Sequence, residues 1–460
     1  MRDSAMTPMP LDEVNLTASG LFTDLYELTM MQVYFEQGMN EEAVFSLFVR
    51  EVPKQRNFLL ACGLETVLDY LERLYFTDAD IAYLKSLERF SPAFLDWLRE
   101  FRFTGEVHAV KEGTPVFANE PILEVVAPLP QAQLIETMVM NQIQLQTLLA
   151  TKAQRMVAAA DGRAVLDFGA RRMHGVDAAL KAARAFIIAG ITGTSNVLAG
   201  RVYGVPVSGT MAHSYIQAHD DELEAFRDFM RVYPDTVLLV DTYDTLEGVQ
   251  KVIELARELG DDFRVSGVRL DSGDLFELSC ETRRMLDAAG LKRVKIIASG
   301  GLDEYGISEL LRRGAPVDGF GVGTSMGVSD DLPVLDIAYK LCEYAGRGRV
   351  KLSSGKPVLP GRKQIFRRFD GDRAVGDVVA REQESHEGQA LLEPVMRNGQ
   401  RLESGRADVM TLREQARQAV AQLPAPVRGV DFADPPYPVR ISDALHAHQQ
   451  AVGERVKQQP

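Results

Sequence analysis

The chain has 460 residues, 46% of them hydrophobic and 25% charged, with a formal net charge of −14. This is the composition of a globular protein with chain enough for two or three domains. Its acidic balance argues against bulk binding to nucleic acid or acidic membranes, so any anion must be drawn by local arginines and backbone amides.

Met1 to Thr17 carries Asp3, Asp12 and Glu13 and lacks the apolar core of a signal peptide. "TDLYELTMMQVYFEQG" (23–38) has Thr23 or Asp24 as N-cap, helical apolar spacing and Gly38 as a stop. "EAVFSLFVREVP" (42–53) reads as a strand, and 105–129, broken by Gly113, Pro115 and Pro121, as several short antiparallel strands. Residues 131–160 form a long helical stretch with an apolar stripe. No stretch is long and apolar enough to span a bilayer.

From Arg163 the rhythm changes. Short apolar or β-branched runs end in Gly, Ser, Thr or Asp, and most are followed by a helical pattern. Seven such units are predicted: 164–175, 189–196, 202–214, 236–245, 265–274, 294–301 and 317–326. Repeated βα units close into a TIM-like barrel or lie open as a doubly wound sheet. Polar loops after every run favour the barrel, whose sites gather at the C-terminal strand ends. Beyond Asp331 the pattern dissolves. Residues 339–367 have strand and turn character. From about Arg381 the tail is polar, with helical stretches and a Pro-rich segment (424–438), and reads as a partly ordered appendage. His446 and His448 are read as tail residues without a metal. Cys62, Cys280 and Cys342 are far apart and form no CxxC pair, which fits a reducing cytoplasm and neither a disulfide framework nor a zinc site.

Chemistry-bearing residues crowd these strand ends. "ASGG" (298–301) and "GVGTS" (321–325) would let the backbone approach a phosphate, although tight βα turns also favour Gly and Ser. Asp241, Asp244, Asp271 and Asp274 could orient a histidine, grip ribose hydroxyls or hold Mg²⁺ indirectly; one or two of them are expected only to cap helices. Arg269 is harder to explain as a cap. Arg171 and Arg172 suit a carboxylate or phosphate, or else an exposed salt bridge. His213 comes after a run, Tyr203 to Ser208, that reads as a strand, and sits in a small-residue loop where it could reach a ligand. Together these point to an enzyme for a phosphorylated sugar with a second anionic group nearby.

From about Leu21 to about Arg367 the chain resembles nicotinate phosphoribosyltransferases. The pieces are "TDLYELTM", "EGTPVFANEPILEV", "DFGARR", "GTSNVLAG", "GTMAHSYI", "VDTYDT", "GVRLDSGDL", "GFGVGTSMG" and "LPGRKQIFR", specific through their order and number. The resemblance implies an α/β fold, an irregular TIM-like (β/α) barrel with an open β-sandwich domain. The implied division is 21–135 for the sandwich, 136–335 for the barrel and 336–460 for a segment packing back on the first domain, polar from about 381.

It also implies the reaction. Nicotinate and 5-phosphoribosyl 1-pyrophosphate give nicotinate mononucleotide and pyrophosphate in NAD salvage, driven by ATP, with Mg²⁺ carried on pyrophosphate. The protein would be a cytoplasmic homodimer with shared active sites, with no nucleic-acid or membrane partner.

Residue by residue, His213 matches the family histidine that ATP phosphorylates, with Asp241 or Asp271 fixing its tautomer. Tyr26 would stack on the pyridine ring from the partner subunit, and Phe168 would cover the other face. Arg171 would meet the nicotinate carboxylate or a phosphate. Arg269, Asp241 and Asp271 would contact the ribose–pyrophosphate side. Ser299, Gly300, Gly301, Gly323 and Thr324 would cradle the 5-phosphate, although "SGG" departs from the Asn- or Asp-rich loop of some relatives. The nearest alternative is nicotinamide phosphoribosyltransferase, which places an aspartate where Ser195 stands. A barrel lyase would show a Schiff-base lysine at a strand end, and none is found there. A non-catalytic barrel is opposed by the retained His213, Arg269 and Asp271.

Overall fold

The computed structural model describes residues 18–353 and 358–458. Met1 to Thr17, and with them the reading that no signal peptide is present, lie outside the described residues. Contacts divide the chain into two units. One comprises residues 1–147, 334–427 and 433–460; the other comprises 148–333 and 428–432.

The first unit is built on antiparallel sheets. The strand Glu42–Val49 pairs with Ile337–Tyr344 on one side and Pro121–Pro128 on the other, at the centre of a seven-stranded sheet. Seven of its eight residues are buried, as a central strand covered on both faces requires. A four-stranded sheet carries Lys363–Asp370 and Arg373–Arg381. Lys363 joins the two sheets: its backbone N–H donates to Glu124 and its ammonium lies 2.9 Å from the same carboxylate.

The polar tail is more structured than its composition suggests. Glu393–Arg397 pairs with Glu106–Ala109, and Val439–Ile441 with Arg373–Arg381. Helices Val409–Ala421 and Asp443–Lys457 bury Leu412, Ala416, Leu445 and Val452. A few apolar residues at helical spacing anchor these elements, although polar residues outnumber them.

The second unit holds a curled parallel sheet of six strands. Its order is Gly193–Thr194, Ala164–Asp167, Gly319–Val322, Lys295–Ala298, Gly267–Leu270, Val237–Leu239. Aspartates just past three of these strands cap the next helices. Asp244, Asp274 and Asp303 accept from the first-turn amides of Thr245–Leu259, Leu275–Ala288 and Glu304–Arg312. Helix Thr245–Leu259 lies close on the sheet at Gly248, where a β-carbon would stand 2.1 Å from the carbonyl oxygen of Val240.

The seventh expected strand is absent. Residues 197–203 are helical, and the segment after them touches the sheet only through a single bridge between Thr194 and Val207. Gly204 ends that helix at φ +66°, and Pro206 has no N–H to give a ladder. The run Tyr203–Ser208 is therefore a helix end and a loop, which leaves the residues after it free to reach the strand ends.

Candidate active site

The strands of the second unit end around a cavity of about 480 Å³. Its lining includes Phe168, Arg171, Ser195, His213, Arg269, Asp271, Ser299, Gly300, Gly301, Gly323 and Thr324. Eleven of the thirteen residues expected in the site from the family resemblance thus meet at one place.

Arg269 is its fixed centre. It is 8% exposed, and its guanidinium is held on three sides. Nε donates to Thr210 Oγ1 at 3.2 Å. Nη1 donates to Asp271 Oδ1 at 2.7 Å and to Ser299 Oγ at 3.1 Å, and Nη2 to the Met211 carbonyl at 2.8 Å. Burial draws its pKa below the ordinary value, and Asp271 opposes the shift. Ser299 Oγ also donates to Asp271 Oδ1, at 2.5 Å. A planar fork with this many partners fixes three loops at once.

His213 opens the short helix His213–Gln217. Its Nδ1 is 3.1 Å from Thr242 Oγ1, and its Nε2 is 3.8 Å from Asp271 Oδ2. The hydrogen-bonding partner of the ring is thus a hydroxyl, and Asp271 stands beyond hydrogen-bond distance. Thr242 lies in "VDTYDT" but is overshadowed there by its acidic neighbours.

Asp241, expected on the ribose–pyrophosphate side, is absent from the cavity lining. Its Oδ2 accepts from the Asp271 amide at 2.9 Å and from Ser272 Oγ at 2.6 Å, and the residue is 9% exposed. It braces the strand end that carries Asp271. Its Oδ1 is buried and has no partner among the described residues. Asp244 and Asp274 are helix caps.

The glycine turns meet strict spatial demands. Gly300 has φ +91°, and a β-carbon there would stand 1.8 Å from the Asp271 carbonyl oxygen. Gly301 has φ +65° with open space beside it. The Phe168 ring lies against Gly321, where a β-carbon would stand 2.4 Å from it. Asp167, just before Phe168, is fully buried and accepts from Thr194 Oγ1 and the Gly169 amide, each at 2.7 Å. Burial raises its carboxyl pKa, against both hydrogen bonds. Arg171 and Arg172 are exposed on the turn Ala170–Arg172, and neither pairs with a carboxylate among the described residues. Two free cations beside amide-rich turns favour an anionic ligand.

Asp271 is the single carboxylate of the lining, and no cluster of three or more His, Cys, Asp or Glu among the described residues could hold a metal ion. Tyr26 belongs to the first unit, half-exposed on the helix Leu25–Glu36. Beside it, buried Glu27 accepts from Thr137, and burial pushes its carboxyl up to about 7.

Residues 21–144 match the nicotinate phosphoribosyltransferase (NAPRTase) N-terminal domain, and residues 164–384 match the NAPRTase family. The chain is 52% identical over 425 residues to nicotinate phosphoribosyltransferase pncB2 of Mycobacterium tuberculosis, covering 92% of each chain. It is 43% identical over 370 residues to nicotinate phosphoribosyltransferase of Bacillus subtilis, covering 78% of this chain and 76% of that one. The crystal structure of human nicotinic acid phosphoribosyltransferase superimposes with a TM-score of 0.82 at 28% identity, covering 93% of this chain and 99% of the other.

Proposed function

The chain belongs to the nicotinate phosphoribosyltransferase family, and we propose that its cavity carries out an ATP-coupled reaction. Nicotinate attacks the anomeric carbon of 5-phosphoribosyl 1-pyrophosphate through its pyridine nitrogen. The C–O bond to pyrophosphate breaks, giving nicotinate mononucleotide and pyrophosphate. The observation that carries this reading is the gathering of His213, Asp271, Arg269 and both glycine turns around one cavity, with Arg171 and Arg172 left without carboxylate partners among the described residues.

In this reading the amides of Gly300, Gly301, Gly323 and Thr324 and the Thr324 hydroxyl receive the 5-phosphate, while Ser299, whose amide donates to the Leu270 carbonyl and whose hydroxyl donates to Asp271, holds the turn that carries them. Arg269 and Asp271 face the ribose and pyrophosphate. Phe168 covers the pyridine ring, and Arg171 meets its carboxylate. Asp271, the carboxylate of the lining, would help hold a Mg²⁺ brought with pyrophosphate, and the ion would neutralise charge on the leaving group. The chain's own contribution is mainly to position the reactants and stabilise developing charge.

ATP enters through His213. An imidazole nitrogen attacks the γ-phosphorus, ADP departs, and the phosphorylated ring is later hydrolysed, which couples ATP cleavage to synthesis. The ring's seat between Thr242 and Asp271 supports this role. Exposed Val197, Leu198, Val202 and Val207 in one unit, and Phe22, Leu25, Tyr26 and Val33 in the other, supply apolar surface for a cytoplasmic homodimer in which Tyr26 serves the partner's site. Ser195, rather than an aspartate, at the cavity wall favours nicotinate over nicotinamide.

Incubation with γ-labelled ATP tests the coupling. Wild type takes up label, and His213→Ala takes up none and loses ATP stimulation while retaining slow ATP-independent synthesis. Full ATP-stimulated turnover in His213→Ala would refute the assignment.

A further inference from the structure

An ionic cluster built on the buried Lys152, Arg155 and Glu304, with the more exposed Asp330 and Asp331 at its edge, is not used by the reaction chemistry. Lys152, on the helix Glu136–Ala159, is 1% exposed. Its ammonium stands 2.7 Å from Glu304 Oε2 and 2.9 Å from Asp331 Oδ1, with Asp330 Oδ1 at 3.9 Å. Arg155 donates through Nε to Glu304 Oε1 at 2.8 Å and through Nη2 to Tyr305 Oη at 3.0 Å. Burial alone would push the Glu304 carboxyl up, but Lys152 and Arg155 hold it below the ordinary carboxylate value.

The places of these carboxylates in the chain give the cluster its meaning. Glu304 opens the helix that leaves the Ser299–Gly301 turn. Asp330 and Asp331 come just after the short helix Thr324–Val328, which leaves the Gly323–Thr324 turn. Ser325 Oγ donates to Asp330 Oδ1 at 2.9 Å and ties that second arm together. One ammonium therefore links the segments that leave both turns.

We propose that Lys152 is a positioning residue that sets the spacing of the two turns of the phosphate cradle, an inference that rests on the reading that these turns hold the 5-phosphate. Two cations, Lys152 and Arg155, face three carboxylates here. The cluster thus has no surplus positive charge with which to draw the phosphate, and its contribution is geometric. A buried ion pair adds little stability over apolar packing of the same volume, whereas removing one partner is costly. Such a pair serves better to fix a geometry than to strengthen a core.

Kinetics of Lys152→Met, Lys152→Arg and Asp331→Asn test the proposal. Lys152→Met raises KM for 5-phosphoribosyl 1-pyrophosphate at least about tenfold, as a misplaced binding group should, and leaves KM for nicotinate within about twofold. Asp331→Asn keeps the Lys152–Glu304 pair, provides the test if Lys152→Met does not fold, and raises the same KM about threefold. Lys152→Arg, which keeps the charge, recovers part of the loss.

Ribose 5-phosphate, used as a competitive inhibitor, separates this inference from the reading beneath it. Inhibition of wild type that weakens in Lys152→Met and Asp331→Asn supports both. No inhibition of wild type overturns the cradle reading and this inference with it. Equal inhibition of wild type and variants, or an equal rise in both KM values, overturns the role of Lys152 alone.

Discussion

His213 sits with one ring nitrogen 3.1 Å from the Thr242 hydroxyl and the other 3.8 Å from Asp271. A hydroxyl can donate or accept, so it can stay bonded to the ring as the ring gains and loses charge. Thr242→Val keeps the shape and removes that partner. Phosphorylation of His213 by ATP should slow by about tenfold to a hundredfold, the usual loss when an orienting partner is removed, with KM for nicotinate unchanged. An unchanged labelling rate would show that the hydroxyl is not needed. Ser195 offers a second test. In Ser195→Asp, a carboxylate about 4 Å from that of nicotinate would repel it by at most about 4 kcal/mol at an effective dielectric of about 20. The nicotinate-to-nicotinamide ratio of kcat/KM should fall by about one to three orders of magnitude, the lower figure if a proton is shared between the carboxylates. An unchanged ratio in a folded variant would place base selection elsewhere.

At the scale of elements, the strand ends depend on how closely the backbone can approach its neighbours. Gly300 faces the Asp271 carbonyl at a distance no side chain can occupy, whereas Gly301 opens to free space. Gly300→Ala should therefore disrupt the turn, raising KM for 5-phosphoribosyl 1-pyrophosphate and costing more than about 3 kcal/mol by denaturant unfolding. Gly301→Ala, limited to left-handed strain, should cost about 1–2 kcal/mol. Equal losses would mean that the close approach at Gly300 does not matter. Much of this architecture is legible in the sequence, because apolar runs ending in Gly, Ser or Asp mark buried strands and the loops after them. Six of seven predicted strands form. The seventh fails because Gly204 and Pro206, which lie inside the run Tyr203–Ser208 read as a strand, instead end a helix and deny a ladder. Residue type does not show that Asp241 turns inward to the Asp271 amide while Asp271 faces the cavity. Two aspartates at neighbouring strand ends look alike until the curl of the sheet directs each one. Thr242 and Thr210 escape a sequence reading for a similar reason, since hydroxyls carry no charge pattern to draw attention.

Across the whole molecule, a net charge of −14 surrounds a cavity that holds Arg171, Arg172 and Arg269. On the proposed reading, anionic substrates would enter a local positive site against an opposing background, and those arginines and the glycine turns would set KM for 5-phosphoribosyl 1-pyrophosphate. If Tyr26 serves a partner subunit, Tyr26→Ala and His213→Ala should each be nearly inactive alone and recover activity on subunit exchange, because one site of the mixed dimer is intact. No recovery after demonstrated exchange would mean that each site is built within a single chain. The most direct test of the account is pyrophosphate release from 5-phosphoribosyl 1-pyrophosphate, followed with nicotinate or nicotinamide, with and without ATP. Release is expected with nicotinate, faster with ATP, and far less with nicotinamide. Release that ignores ATP, or that prefers nicotinamide, would contradict this expectation.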